Sequence, residues 1–306
     1  MAEQFVKQHI VPKRYLDRFT FAGSKASLIP TRLNDKGKIS LFATSTDNVG
    51  FKKNYYDVTD KADTKYWEHY FSEQIDTLCG VPLENLISTV MLSRNEIVLR
   101  SHEKNILAKL IIAQIMRVPD SLDYAKEIYA KNIDKVKGEA LSMLPKNLQE
   151  KYREQIQNIS FSEQWQKEQF LNYSFSPENF DRYCKLLEDR IWVVYVNALR
   201  KEMPFVTSDN PVLVEGIGNS RRGLFHNGLA NPATCIFFPI SPSIAVANYA
   251  RNGIIGIAAD KLDGRKFVID DWKYITDKNI KIIGQSHRHS FIPKELFDKL
   301  KNNVSG

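Results

Sequence analysis

The sequence predicts an α+β fold, with a helical zone followed by a mainly antiparallel sheet in a single large domain over residues 1–306. Three observations predict it. From Thr64 to about Glu188 the chain is rich in Glu, Lys, Gln and Leu and poor in turn residues, a helical pattern. Beyond it, β-branched and aromatic runs are bounded by Pro, Gly, Asn and Ser, the signature of strands. Helices precede strands instead of alternating with them, which separates α+β from a doubly wound parallel sheet. The zones are 1–60 (N-terminal helix and hairpin), 64–190 (helical) and 191–306 (sheet and C-terminal helices).

In the first zone, Lys13 to Phe19 reads as a short opening helix. Apolar patches around Leu28–Ile29 and Ile39–Phe42, split by the turn signal Asn34-Asp35-Lys36-Gly37, read as a hairpin. In the second, Ser101 and Glu103 open a helix whose face is Leu107, Leu110, Ile111, Gln114 and Val118, and Pro119 stops it. The stretches Ser121–Ala140 and Pro145–Ile156 are highly charged and should face solvent. Ser176 and Pro177 form a helix start, cap and first turn, for Phe180–Arg190. Strands are expected at Ile191–Leu199, Phe205–Thr207, Val212–Val214, Cys235–Ile240 and Ile244–Tyr249. The polar linker Glu215–Pro232 between them is a lid candidate. A helix from beyond Asp270 through Ile283 and a short one over Pro293–Asn302 close the chain.

Hydrophobic residues make up 43% and aromatics 11%, the make-up of a packed domain. No apolar run of about 18 residues stands out and the N-terminus lacks a signal-peptide pattern, so a soluble, cytoplasmic protein is expected. Cys79, Cys184 and Cys235 lie far apart, without metal spacing, and read as reduced thiols. A formal charge of +7 and a pI near 9.1 favour polyanionic partners, making DNA or RNA plausible, although a generally basic surface explains the excess equally well.

Three clusters can carry chemistry. In Gln8-His9-Ile10-Val11-Pro12-Lys13-Arg14-Tyr15, the imidazole of His9 can act as base or metal ligand, or simply bond to backbone at a helix entry. His followed by two apolar residues and Pro also occurs in HNH nucleases, but the downstream partners of that motif are not apparent. In Thr207-Ser208-Asp209-Asn210-Pro211, Asp209 can present a carboxylate to a cleft; turn chemistry alone accounts for the same residue types. Gln114 and Arg117 end an apolar helix. Gln114 on the apolar face must meet a polar partner, while Arg117 either neutralises a phosphate or serves an internal acid or the helix end. His287 and His289 in Ser286-His287-Arg288-His289-Ser290 are spaced for a shared strand face that could support metal binding, although most such pairs are merely exposed. Glu68 and Glu73 are misaligned on a helix. No Walker loop, nucleophile elbow or HExxH is present.

The segments QHIVPKRYLDRF (8–19), NYYDV (54–58), LIIAQIMRVP (110–119), FVTSDNPV (205–212) and FFPISP (237–242) resemble, in order and spacing, the bacterial domain-of-unknown-function family 4238. The resemblance implies no established activity, though some members are associated with defence against phages. It marks His9, Pro12, Tyr15, Gln114, Arg117, Asp209, Asn210 and Pro211 as family-type motif residues. A shared polar inventory drawn from distant segments implies one cleft. The expectation is a defence effector acting on nucleic acid or a nucleotide, a nuclease or other hydrolase. His9, Asp209, Gln114 and Arg117 would be its catalytic set, and Lys13, Arg14, Tyr15, Asn210, Arg221 and Arg222 would hold substrate. A divalent metal would suit His9 or Asp209 as cofactor. The alternative is a non-catalytic sensor in which the same residues form a structural network.

Overall fold

A computed structural model describes residues 7–20, 27–28, 30–33, 39–41, 44–216, 228–292 and 296. The expected turn at 34–37, most of the linker after Glu215, and the helix over 293–302 lie outside the described residues, as do Arg221 and Arg222. In the N-terminal zone, β1 (Lys7–His9) leads into α1 (Lys13–Leu16) and a 3-10 turn over Asp17–Phe19, as expected. Then come β2 (Ser27–Leu28), β3 (Pro30–Leu33), β4 (Ile39–Leu41), β5 (Thr44–Ser45) and β6 (Phe51–Lys53). β3 and β4 pair antiparallel. β1 returns against β6, His9 opposite Phe51, a pairing the short polar strands do not advertise.

The helical zone holds α2 (Tyr66–Tyr70), α3 (Val81–Leu92), α4 (Ser101–Arg117), α5 (Pro119–Ser142), α6 (Lys146–Gln157), α7 (Glu163–Ser174) and α8 (Pro177–Glu188). Glu103 accepts from the Arg100 amide (2.9 Å) at the start of α4, and the Ser176 hydroxyl accepts from Asn179 (3.3 Å) at the start of α8. Pro119 ends α4, as expected, but it also begins α5, because a ring that lacks an N–H suits a helix's first turn. α5 buries only Pro119, Ser121 and Leu122, and α6 buries nothing, in keeping with their charge. The stretch Tyr66–Leu92 is long and apolar enough by length and composition alone to cross a bilayer, against the expectation of no such segment. Here it is broken by a π-turn at Phe71–Ile75 and a 3-10 turn at Asp76–Cys79, and it places Phe71, Ile75, Leu83, Leu86 and Val90 in the core.

The sheet is built from β7 (Ile191–Asn197), β9 (Leu213–Gly216), β10 (Thr234–Ser241), β11 (Ile244–Tyr249) and β12 (Arg265–Ile269), in the order β12-β7-β11-β10-β9. Between them in sequence, β8 (Thr207–Ser208) leaves this sheet and joins β13 (Ser290–Phe291), which also pairs β3. Along β7, Trp192 and Val194 face the helical core while Ile191 and Val193 face a second core formed with α10 (Trp272–Gly284), which follows α9 (Ile254–Ala259). Covering on both faces explains why these strands read as unbroken apolar runs.

The sheet is mainly antiparallel, with one exception: β12 runs parallel to β7. Although Phe267, Val268 and Ile269 are apolar, the strand is five residues long, half-exposed and at the sheet edge, so no buried run marks it. Gly264 sets its entry. Its amide donates to the Trp192 carbonyl (2.8 Å) and its carbonyl accepts from Val98 and Leu99. At φ +75° a Cβ would stand 2.5 Å from the Leu99 carbonyl oxygen. Gly264→Ala is therefore expected to destabilise the fold by about 1–3 kcal/mol, read from urea unfolding.

Candidate functional site

Arg117, at the end of α4, is 1% exposed. Its Nη1 donates to Asp76 Oδ1 (2.5 Å), its Nε to the Tyr56 hydroxyl (3.1 Å), and its Nη2 to the His9 carbonyl. The guanidinium lies 4.5 Å from the centre of the Phe71 ring. Burial alone would lower its pKa, but Asp76 and then Tyr56 raise it, so the charge is permanent and already neutralised. The structure thus gives Arg117 the internal-acid role and not the phosphate role. Gln114, one turn earlier, donates to the Ile10 carbonyl (3.0 Å), the polar partner its place on the apolar face required.

His9 enters this network through its backbone. Its ring meets Phe51 edge-on at 6.1 Å, and its Nε2 is buried and makes no hydrogen bond. Burial, opposed by Asp76, lowers its pKa and keeps the ring neutral. Glu68 stands near the same Arg117–Asp76 pair, and burial raises its carboxyl above the usual range. Tyr15, expected to hold substrate, is instead buried: its hydroxyl contacts Thr207 Oγ1 (2.6 Å) and donates to the Pro239 carbonyl (2.7 Å), and its ring stacks on Phe238. Lys13 pairs with Asp47. Arg14 lies over Gly80 and lines a separate hollow of about 600 Å³ with Asp17 and Arg18. Asn210 donates to the Gln285 carbonyl (3.3 Å) and accepts at its own carbonyl from Gln285 (2.6 Å), a turn role.

Asp209 is 3% exposed and holds three consecutive amides. Oδ1 accepts from His287 (2.8 Å), and Oδ2 accepts from Arg288 (2.8 Å) and His289 (3.1 Å). Its own amide donates to the His289 carbonyl (3.0 Å). The carboxylate is a backbone clamp that shapes the turn between α10 and β13.

These ties converge. A cleft of about 350 Å³ is bounded by Ile10, by residues 48–52, by Pro119 and Asp123, and by Asp209 with residues 287–289. The QHIVP, MRVP and TSDNP segments border one hollow through Ile10, Pro119 and Asp209, while His9, Gln114 and Arg117 do not line it. Their polar side chains, however, mostly brace its walls. Besides Asp209, the polar residues lining it are Asn48, Lys52, Asp123, His287, Arg288 and His289. Across one wall, His287 Nδ1 stands 3.5 Å from Asp120 Oδ1, and its Nε2 is enclosed without a hydrogen bond. Lys52 is half-buried with its ammonium 4.9 Å from the Tyr55 ring centre. Its pKa is lowered by burial, with Asp123 opposing and Arg288 adding to the fall. Among the described residues, no group of three or more His, Cys, Asp or Glu side chains is placed to hold a metal.

Lys52, Asp120, Asp123 and Arg288 carry no motif signal in the sequence, and the paired histidines, spaced for a metal or simply exposed, are half-buried at the cleft. The available signal was topological: residues 286–290 sit between α10 and a strand that pairs with the TSDNP strand.

Two variants check the scaffold. Arg117→Ala is expected to cost about 3 kcal/mol in urea unfolding, the low end for a broken buried pair because Asp76 keeps 25% of its side chain exposed. Asp209→Asn, which leaves fewer acceptors for the three amides, should cost about 1–3 kcal/mol and speed amide exchange selectively at 287–289.

No curated protein and no solved structure gives a significant match. A family model does match, over residues 7–261. The chain accordingly belongs to the family described as Protein of unknown function (DUF4238).

Proposed function

We propose that the cleft binds a phosphate of a nucleic acid or nucleotide, and that His287, oriented by Asp120, is its acid–base group. One observation carries this reading: Lys52 and Arg288 converge on the same hollow, and neither forms an ion pair among the described residues. Asp123 lines the same hollow and offsets Lys52 in part, and an anion seated between the two cations would relieve the repulsion that remains. The net charge of +7 would draw such a ligand toward the surface. The Asp120 carboxylate favours the His287 tautomer with its proton on Nδ1. Nε2, enclosed and without a partner, then keeps its lone pair, and a substrate proton reaches it once binding uncovers that atom. At 3.5 Å the pair is an electrostatic contact and not yet a hydrogen bond, the loose geometry common in a catalytic pair without substrate.

A second reading, a non-catalytic sensor, draws on a different observation: Gln114, Arg117 and Asp209 spend their polar atoms on backbone and internal partners. The readings diverge at His287, since a sensor needs the cations and no base.

Titration calorimetry with pyrophosphate and with a mixed-sequence single-stranded oligonucleotide checks the proposal. Lys52→Ala and Arg288→Ala should each weaken binding about tenfold, and the dependence on salt should become shallower. Unchanged affinity in both folded variants would overturn it. In cells challenged with phage, His287→Ala should lose any protection that wild type confers while still binding the oligonucleotide; protection retained at the wild-type level favours the sensor.

A further inference from the structure

Resting on the reading of the cleft as a phosphate site, we infer that its substrate is single-stranded RNA, cleaved by attack of a ribose 2′-hydroxyl on the adjacent phosphorus. Such a transfer needs one base, one acid and positive charge at the phosphate, because the nucleophile is carried by the substrate itself. The cleft presents that set. His287 and His289 both line it, two residues apart. Their separation is fixed by the backbone, since Asp209 holds the amides of His287, Arg288 and His289 at 2.8, 2.8 and 3.1 Å. His289 is further steadied by Phe291, ring centres 6.4 Å apart. Lys52 and Arg288 supply the positive charge, and Phe51 also lines the cleft, its ring met by the Lys7 ammonium at 4.8 Å and by the edge of His9.

In the step, His287 Nε2, uncovered as the substrate seats, takes the proton of the 2′-hydroxyl. The 2′-oxygen forms a bond to phosphorus as the bond from phosphorus to the 5′-oxygen of the next nucleotide breaks. The imidazolium of His289 gives that leaving oxygen its proton. The products are a 2′,3′-cyclic phosphate and a 5′-hydroxyl, with no change in oxidation state and no water consumed. Lys52 and Arg288 stabilise the charge that builds on the non-bridging oxygens. DNA, without the 2′-hydroxyl, supplies no nucleophile.

The test incubates the full chain, in EDTA, with a mixed-sequence single-stranded RNA pool, its all-deoxy counterpart, and a DNA oligonucleotide carrying a single ribonucleotide. Product ends are read by mass spectrometry. The expected result is cleavage of the RNA, cleavage of the chimera only on the 3′ side of its ribonucleotide, cyclic-phosphate ends, and intact DNA. His287→Ala and His289→Ala should each slow cleavage about 10²–10⁴-fold with thermal unfolding unchanged. RNA left uncut, DNA cut as fast as RNA, or open 5′-phosphate ends would each overturn the inference. If the oligonucleotide still binds through Lys52 and Arg288 in those cases, the phosphate-site reading survives alone. If binding ignores both cations, the two fall together.

Discussion

The structure depends on the burial of one guanidinium. Arg117 is carried to the end of an apolar helix and sealed beneath the first strand, where water cannot solvate it. It is tolerable there only because Asp76, Tyr56 and the His9 carbonyl satisfy its charge and its donors together. Those partners come from three separate stretches of the N-terminal half. The arginine thereby fixes where β1 crosses α4, and Gln114 secures the next carbonyl along. With the strand pinned at His9 and Ile10, its neighbour β6 is held in register, and Phe51 and Lys52 stand at the cleft rim. Packing and electrostatics are one problem at this junction, since Phe71 lies against the guanidinium that Asp76 neutralises.

The opposite wall is governed by a second buried charge with similar logic. Asp209 is enclosed, but its partners are backbone amides, which never lose their protons. The proline after Asn210, the strand pair between Ser208 and Ser290, and the clamp on residues 287–289 all restrain a single turn. The conspicuous polar residues of the motifs therefore serve as the frame of the cleft, and its chemistry is delegated to their neighbours.

This division explains what was legible in the sequence. Periodicity revealed the helices and the buried strands, because each element's apolar face is set by a core that the chain must form. It also placed Gln114 on an apolar face and so required a partner for it, which Ile10 provides. Convergence of the distant motifs could be inferred in part: they border one cleft through Ile10, Pro119 and Asp209, and of the four expected catalytic side chains only Asp209 lines it. Direction could not. Whether Arg117 looks outward to a phosphate or inward to Asp76 depends on contacts made 41 residues away in the chain. Likewise β12 pairs parallel to β7 through Gly264, a geometry that leaves no periodic trace. The histidines after α10 looked like surface residues because the carboxylate that gathers their backbone lies 78 and 80 positions upstream.

The clamp at Asp209 has a consequence of its own. Since it grips peptide groups, the shape of the turn is indifferent to which side chains sprout from it. Positions 287, 288 and 289 can be exchanged without redrawing the wall they stand on. The fold thus keeps a fixed socket with interchangeable teeth, and descendants of one ancestral chain could come to recognise different ligands by changing a tripeptide.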